Sequence, residues 1–84
     1  MTIEEQVKNF ISSNLLFSNN GFPYSENDSF LEKGIVDSIG IMELVLFIED
    51  NFKISIENGE ITPMNFDSVA KLSTYVRFKM NNPV

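Results

Sequence analysis

Three observations predict one all-α domain over residues 1–84. Apolar side chains recur at helical spacing in several stretches, capping residues precede those stretches, and no sustained strand-like alternation appears. With no Cys and no His, neither a disulfide nor a Cys/His metal site can staple the fold. A domain this small buries only about 60–65% of its unfolded surface. Packing of the 43% apolar residues must therefore carry stability.

The first helix opens at Thr2, with Glu5 three residues on, the T-x-x-E pattern of a capping box. Ile3, Val7, Phe10, Ile11 and Leu15 follow at helical spacing, while Asn9 and Asn14 fall off the stripe. Ser18-Asn19-Asn20-Gly21 should end this helix. Residues 17 to 36 then form a connection long enough to require anchoring or a function. Phe17, Phe22, Phe30, Leu31, Ile35 and Val36 are the expected anchors. Within it, Asp28 to Gly34 reads as a single helical turn, capped by Asp28 and stopped by Gly34.

The second helix is expected from its N-cap Asp37 to about Phe52, where Lys53 breaks the run. Ile54-Ser55-Ile56 alternates for too few residues to define a strand. Thr62-Pro63, a cap followed by proline at the first helical position, opens a short helix through about Asn65. Asp67-Ser68 caps the last helix, with Val69, Leu72, Tyr75 and Val76 as its stripe and Asn81-Asn82-Pro83 as its end. Phe10, Phe30, Phe47, Phe52, Phe66 and Phe78 are expected in the core rather than lining a tunnel for a bound chain. Phe47, between the two stripes of the second helix, is expected to border the surface.

Composition excludes several functions. Six basic and twelve acidic side chains give a net charge of −6. That balance argues against nucleic-acid binding and suits docking onto basic surfaces. The absence of His and Cys rules out a Ser-His-Asp triad, Cys or His nucleophiles, and zinc fingers. No stretch carries the alternating Asp/Asn ligands of a calcium loop, so neither metal ligands nor catalytic residues are assigned. The acidic start, Met1 to Glu5, is unlike the basic head of a signal peptide. The longest apolar run, Leu44 to Ile48, is far short of the ~20 residues of a membrane span. The expectation is a cytoplasmic monomer.

The second helix carries one apolar stripe too many. Ile41, Leu44, Val45, Ile48 and Phe52 suffice for a core face. Ile39, Met42 and Leu46 form a second row on another side, with Glu43, Glu49 and Asp50 on or beside it. An apolar row rimmed by carboxylates fits a docking surface for a partner with a greasy groove and basic edges. A central helix buried on most sides would show the same pattern. At the start of this helix Ser38 follows the Asp37 cap, at the positive end of the helix dipole. A phosphate ester there would be well placed, although ordinary capping also explains an Asp-Ser pair. With no His to activate it, Ser38 is better suited to receive a group than to attack a substrate.

The run Gly34-Ile35-Val36-Asp37-Ser38-Ile39-Gly40-Ile41-Met42-Glu43-Leu44 resembles the phosphopantetheine attachment motif of acyl and peptidyl carrier proteins. The likeness extends over the long first loop with Phe30-Leu31, the helix end at Ile48 to Phe52, the short helix near Pro63, and Phe66-Asp67-Ser68-Val69. It implies a four-helix bundle of the acyl-carrier-protein type: three longer helices, a short third one and a long first loop. It further implies 4′-phosphopantetheine esterified to Ser38, its thiol holding an acyl or aminoacyl group as a thioester for delivery to partner enzymes. Such a carrier is not an enzyme, and its reactive thiol arrives with the prosthetic group.

By the same resemblance, Asp37 caps the helix and helps a phosphopantetheinyl transferase position its substrate and metal ion. Ile39, Met42, Glu43, Leu46, Glu49 and Asp50 form the surface read by that transferase, by an acyl- or aminoacyl-adenylating ligase, and by acyltransferase or synthase clients. One departure matters. Gly40 stands where many fatty-acid carriers have an acid, which favours a specialised carrier served by a ligase and suggests a close approach of the arm or a partner. The alternative is an unmodified acidic helical module that docks partners through Ile39, Met42 and Leu46.

Overall fold

Each of the longer helices starts at a side chain able to satisfy its first free amides. A computed structural model of the chain describes residues 1–82. Helix α1 spans Ile3–Phe10 and opens with the expected reciprocal box. The Glu5 amide donates to Thr2 Oγ1 at 3.1 Å, and the Thr2 amide donates to Glu5 Oε1 at 3.0 Å.

The first helix does not continue as one regular α-helix. Ile11–Leu15 forms a π-helical turn, closed by the Leu16 amide on the Ile11 carbonyl at 2.9 Å. Ser12 Oγ donates to the Asn9 carbonyl and Asn14 Nδ2 to the Phe10 carbonyl, each at 3.2 Å. Those side-chain donors compete with the backbone ladder for its acceptors. The wider turn also lets the adjacent residues Ile11 and Ser12 both face inward.

Helix α2, Phe30–Lys33, is the single turn expected in the long connection, and Gly34 ends it in the left-handed region at φ 63°. Its cap is Ser29 rather than Asp28. Ser29 Oγ accepts from the Glu32 amide at 3.1 Å, whereas the Asp28 carboxylate accepts from the Ser25 amide and closes the preceding turn. Helix α3 covers Ser38–Phe52 behind the Asp37 cap, and Lys53 stops it at φ 57°. A 3₁₀ turn, Asn58–Glu60, follows. Thr62 and Pro63 begin α4, Pro63–Phe66, one residue longer than expected. Helix α5 runs Val69–Asn81 with Ser68 as its cap, Ser68 Oγ accepting from the Lys71 amide at 3.0 Å. Pro83, expected to terminate this helix, lies outside the described residues.

Helix α5 packs against α1, α3 and α4. Between them Val7, Ile11, Leu44, Ile48, Leu72 and Val76 are sealed from solvent, with Phe30 and Phe66 at one side. Phe10 stacks on Phe47 with centroids 4.3 Å apart, and Phe47 meets Phe52 edge-on. Three expected core or anchor residues are exposed instead: Phe17, Leu31 and Phe78. Phe17 turns outward because its backbone is left-handed, at φ 53°. Leu31 and Phe30 are neighbours on one helical turn, so the buried Phe30 leaves Leu31 outside. Phe78 falls off the α5 stripe of Val69, Leu72, Tyr75 and Val76, all of which are buried.

No strand forms among the described residues, and Ile54 and Ile56 lie half-buried in a loop. No described helix is long and apolar enough to cross a membrane.

Candidate functional site

The chain delivers Ser38 to the surface by burying the two residues ahead of Asp37. Ile35 and Val36 are buried, and the Ile35 amide donates to the Phe30 carbonyl at 2.9 Å. The backbone then turns outward at Asp37, extended at φ −95° and ψ −174°. Asp37 Oδ1 accepts from the Gly40 amide at 2.8 Å, and the Asp37 carbonyl accepts from the Ile41 amide at 2.9 Å.

Ser38 is the first helical residue and is exposed. The early amides of a helix lack intrahelical partners and form the positive end of its dipole. That environment suits an oxygen ester of phosphate. The donor set therefore fits a phosphate-linked group carried on the Ser38 hydroxyl.

Gly40 has a reason internal to the fold. It is buried, and a Cβ built there would lie 2.7 Å from Val36 Cγ1, 3.4 Å from Asp37 Oδ1 and 3.5 Å from Leu15 Cδ1. The close approach expected from an arm or a partner is made by the chain's own side chains. An acid at this position would have to displace Val36, the residue that fixes the start of α3.

The second apolar row of α3 is on the surface: Ile39 is 73% exposed, Leu46 64% and Met42 53%. Glu43 and Asp50 are exposed beside it. Glu49 does not join them. It is half-buried, and its Oε2 accepts from the Ile56 amide at 2.8 Å, tying the loop after α3 to the helix. The sequence offers no signal for this tie, because the partner is a backbone amide seven residues away.

Two surface features beside the row escaped the sequence reading. Phe10, Phe47 and Leu46 wall a shallow groove edged by Asn14, Glu43 and Asp50. A second groove lies between the π turn and the start of α3, with Phe17 on its rim. Among the described residues, no three acidic side chains converge to hold a metal ion.

Residues 5–76 match the family model described as phosphopantetheine attachment site. The chain belongs to the phosphopantetheine attachment family. The match runs from within α1 to Val76 in α5. No curated protein matches the chain. The family's prosthetic group is 4′-phosphopantetheine, and the exposed start of α3 has the chemistry to accept it.

Proposed function

We propose that this protein is a non-catalytic carrier that holds 4′-phosphopantetheine on Ser38 and presents acyl or aminoacyl groups to partner enzymes. The observation that carries the reading is the exposed Ser38 hydroxyl, at the first position of a 15-residue helix behind the Asp37 cap and within the family match. When bound, the arm supplies a thiol able to hold a carboxylic acid as a thioester.

The chain's own residues orient rather than catalyse. Asp37 fixes the start of α3 through Gly40 and leaves its second carboxylate oxygen for the modifying transferase and its metal ion. No His is present to take the Ser38 proton, so that proton leaves to the transferase. Ile39, Met42 and Leu46 form the apolar centre of the docking row, with Glu43 and Asp50 as its acidic rim. Glu49 supports the row by holding the loop behind it. The partners are the transferase, an acyl- or aminoacyl-adenylating ligase, and acyltransferase or synthase clients. Gly40, in place of an acid, favours specialised biosynthesis over the fatty-acid pathway. The acidic surface favours a cytoplasmic monomer.

Incubation with coenzyme A and a broadly active phosphopantetheinyl transferase should add the mass of one phosphopantetheine group. Ser38→Ala should add none while keeping the helical circular dichroism of the parent. An unchanged mass for the parent protein overturns the reading. Full partner activity of Ser38→Ala would instead establish an unmodified docking module.

A further inference from the structure

The groove between the π turn and the start of α3 has a volume of about 310 Å³, at the lower end of the roughly 300–1,000 Å³ typical of small-molecule sites. Its walls include Leu15, Phe17, Ile35 and Val36, and bare backbone at Gly40 contributes to its lining. Leu15 and Val36 reach the groove wall by packing onto the bare Gly40 backbone, where a side chain would clash with them. Asp37 and Ile39, the neighbours of Ser38 on either side, both line it.

Phe17 is the unusual member. Its ring is 81% exposed, and its backbone is left-handed, a conformation bulky side chains rarely adopt. The other non-glycine residue in that region among those described, Lys53, simply ends α3. Phe17 ends the π-helical turn, the Ser18 amide closing on the Ser12 carbonyl at 2.7 Å, and its own side chain buries little. Such turns are frequent at functional sites. The same left-handed turn sets the Phe17 ring at the rim of the groove beside Asp37 and Ile39.

We propose that this groove is a resting seat for the phosphopantetheine arm, with Phe17 as its outer wall. The inference rests on Ser38 as the attachment point. Beyond its phosphate the arm is uncharged, with two amides, a pair of geminal methyl groups and a terminal thiol. The groove matches that chemistry. No cationic side chain lines it, and the carboxylates of Asp37 and Glu43 disfavour an anionic occupant.

Leu15, Val36 and Phe17 offer apolar surface to the methyl groups. Asn14 also lines the groove; its Nδ2 is bonded to the Phe10 carbonyl, while its Oδ1 has no donor among the described residues and is available to an arm amide. Covalent attachment two residues from Gly40 gives the arm a high effective concentration, so weak contacts suffice to hold it. The smaller apolar cavity walled by Phe30, Ile41, Ile61 and Phe66 is a separate space that shares only Val36 with the seat.

The test compares ¹⁵N-labelled protein before and after loading with coenzyme A and a transferase, with intact mass confirming attachment. The expected result is shifted amides at Asn14, Leu15, Phe17 and Ile35, with nuclear Overhauser contacts from the arm's methyl groups to the Phe17 ring. Phe17→Asn, a residue that tolerates left-handed backbone, should load normally but lose those contacts. Its arm thiol should then react faster with iodoacetamide. A protein that loads but shifts only Ser38 and its immediate neighbours overturns the seat while leaving the carrier reading intact. Shifts confined to Phe30, Ile61 and Phe66 overturn it as well. A protein that gains no mass overturns the attachment reading and the seat together.

Discussion

The Ser29 hydroxyl donates to the Asp67 carboxylate at 2.5 Å, joining positions 38 residues apart. The same carboxylate accepts from the Leu31 amide at 3.0 Å, and the Asp67 carbonyl accepts from the Phe30 amide at 2.7 Å. Asp67 thus holds the start of α2 to the junction of α4 and α5. It is a long-range cap, and it positions the loop whose end, Ile35-Val36, sets the start of α3.

Removing that carboxylate should therefore destabilise the whole domain. Hydrogen bonds to charged groups are each worth about 1.5–3 kcal/mol. Partial exposure of Asp67 reduces the pair, so Asp67→Ala should cost about 2–3 kcal/mol. For a domain of this size that lowers Tm by roughly 10–20 °C. Asp67→Asn keeps an acceptor for Leu31 and should lose about half as much. Thermal denaturation followed by circular dichroism measures both. Equal losses for the two variants would mean that the retained amide oxygen contributes nothing and that the whole effect lies in the charge.

Gly40 gives a prediction opposite to helix propensity. Gly→Ala in a helix gains up to about 1 kcal/mol. Here the new methyl would lie 2.7 Å from Val36 Cγ1, and overpacking of this kind costs about 1–3 kcal/mol. Gly40→Ala should accordingly lower the urea midpoint, and Gly40→Asp should lower it further. Val36→Ala removes the opposing methyl groups, so Gly40→Ala should be much less damaging in that background. Additive effects in the double-mutant cycle would show that Val36 is not the obstacle.

The contrast between Gly40 and Asp37 shows what was legible in the sequence. Asp37, Thr2, Ser68 and Gly34 act on amides or dihedrals within a few residues, so their roles are written in local spacing. The stripes of α1, α3 and α5 are likewise local, and the outward row of α3 follows from the inward one. Asp67 reads as a local cap beside Ser68 because its real partners, Ser29 and Leu31, are distant in sequence. Glu49 reads as a surface acid because a backbone amide leaves no trace in composition. The π turn after Phe10 depends on Ser12 and Asn14 donating backward, and those residues equally suit an ordinary helix end. Once that turn is missed, Phe17 reads as an anchor rather than an exposed ring.

Stability should fall below about pH 4.5 through three carboxyl groups. The Arg77 guanidinium, forked onto Glu4 at 2.7 and 2.6 Å, holds the Glu4 carboxyl below its ordinary value of 4.5. The Glu57 amide and then the Lys79 ammonium do the same for Glu60, and the Thr2 amide and hydroxyl for Glu5. Each group binds its proton less readily folded than unfolded. Its contribution is therefore present above the unfolded value and lost as pH falls through the folded one. Relief of self-repulsion in a chain of net charge −6 runs the other way between neutrality and mild acid. The informative quantity is thus the difference from Glu4→Gln and Glu60→Gln in urea midpoint at each pH. That difference should be constant above pH 5 and shrink progressively as pH falls below 4.5. A gap unchanged at pH 3 would mean that these ion pairs do not govern acid stability.

Glu43 and Glu49 should separate partner binding from folding. Glu43 is exposed beside Ile39 and Leu46, so Glu43→Lys should leave the urea midpoint within about 0.5 kcal/mol of the parent. Against a phosphopantetheinyl transferase with a basic docking surface, the same change should raise the apparent KM several-fold. It should also reduce the dependence of KM on salt, because one screened attraction has become a repulsion. Glu49 has the reverse profile. Its carboxylate holds the Ile56 amide at 2.8 Å, so Glu49→Ala leaves a partly buried donor unpaired and should cost about 1–2 kcal/mol. Glu49→Gln retains an acceptor oxygen and should recover most of that loss. Neither Glu49 variant should alter the salt dependence of loading beyond what its lowered stability imposes. If Glu49→Gln instead weakens the transferase as much as Glu43→Lys does, its charge faces the partner, and the acidic rim of α3 extends one turn further around the helix.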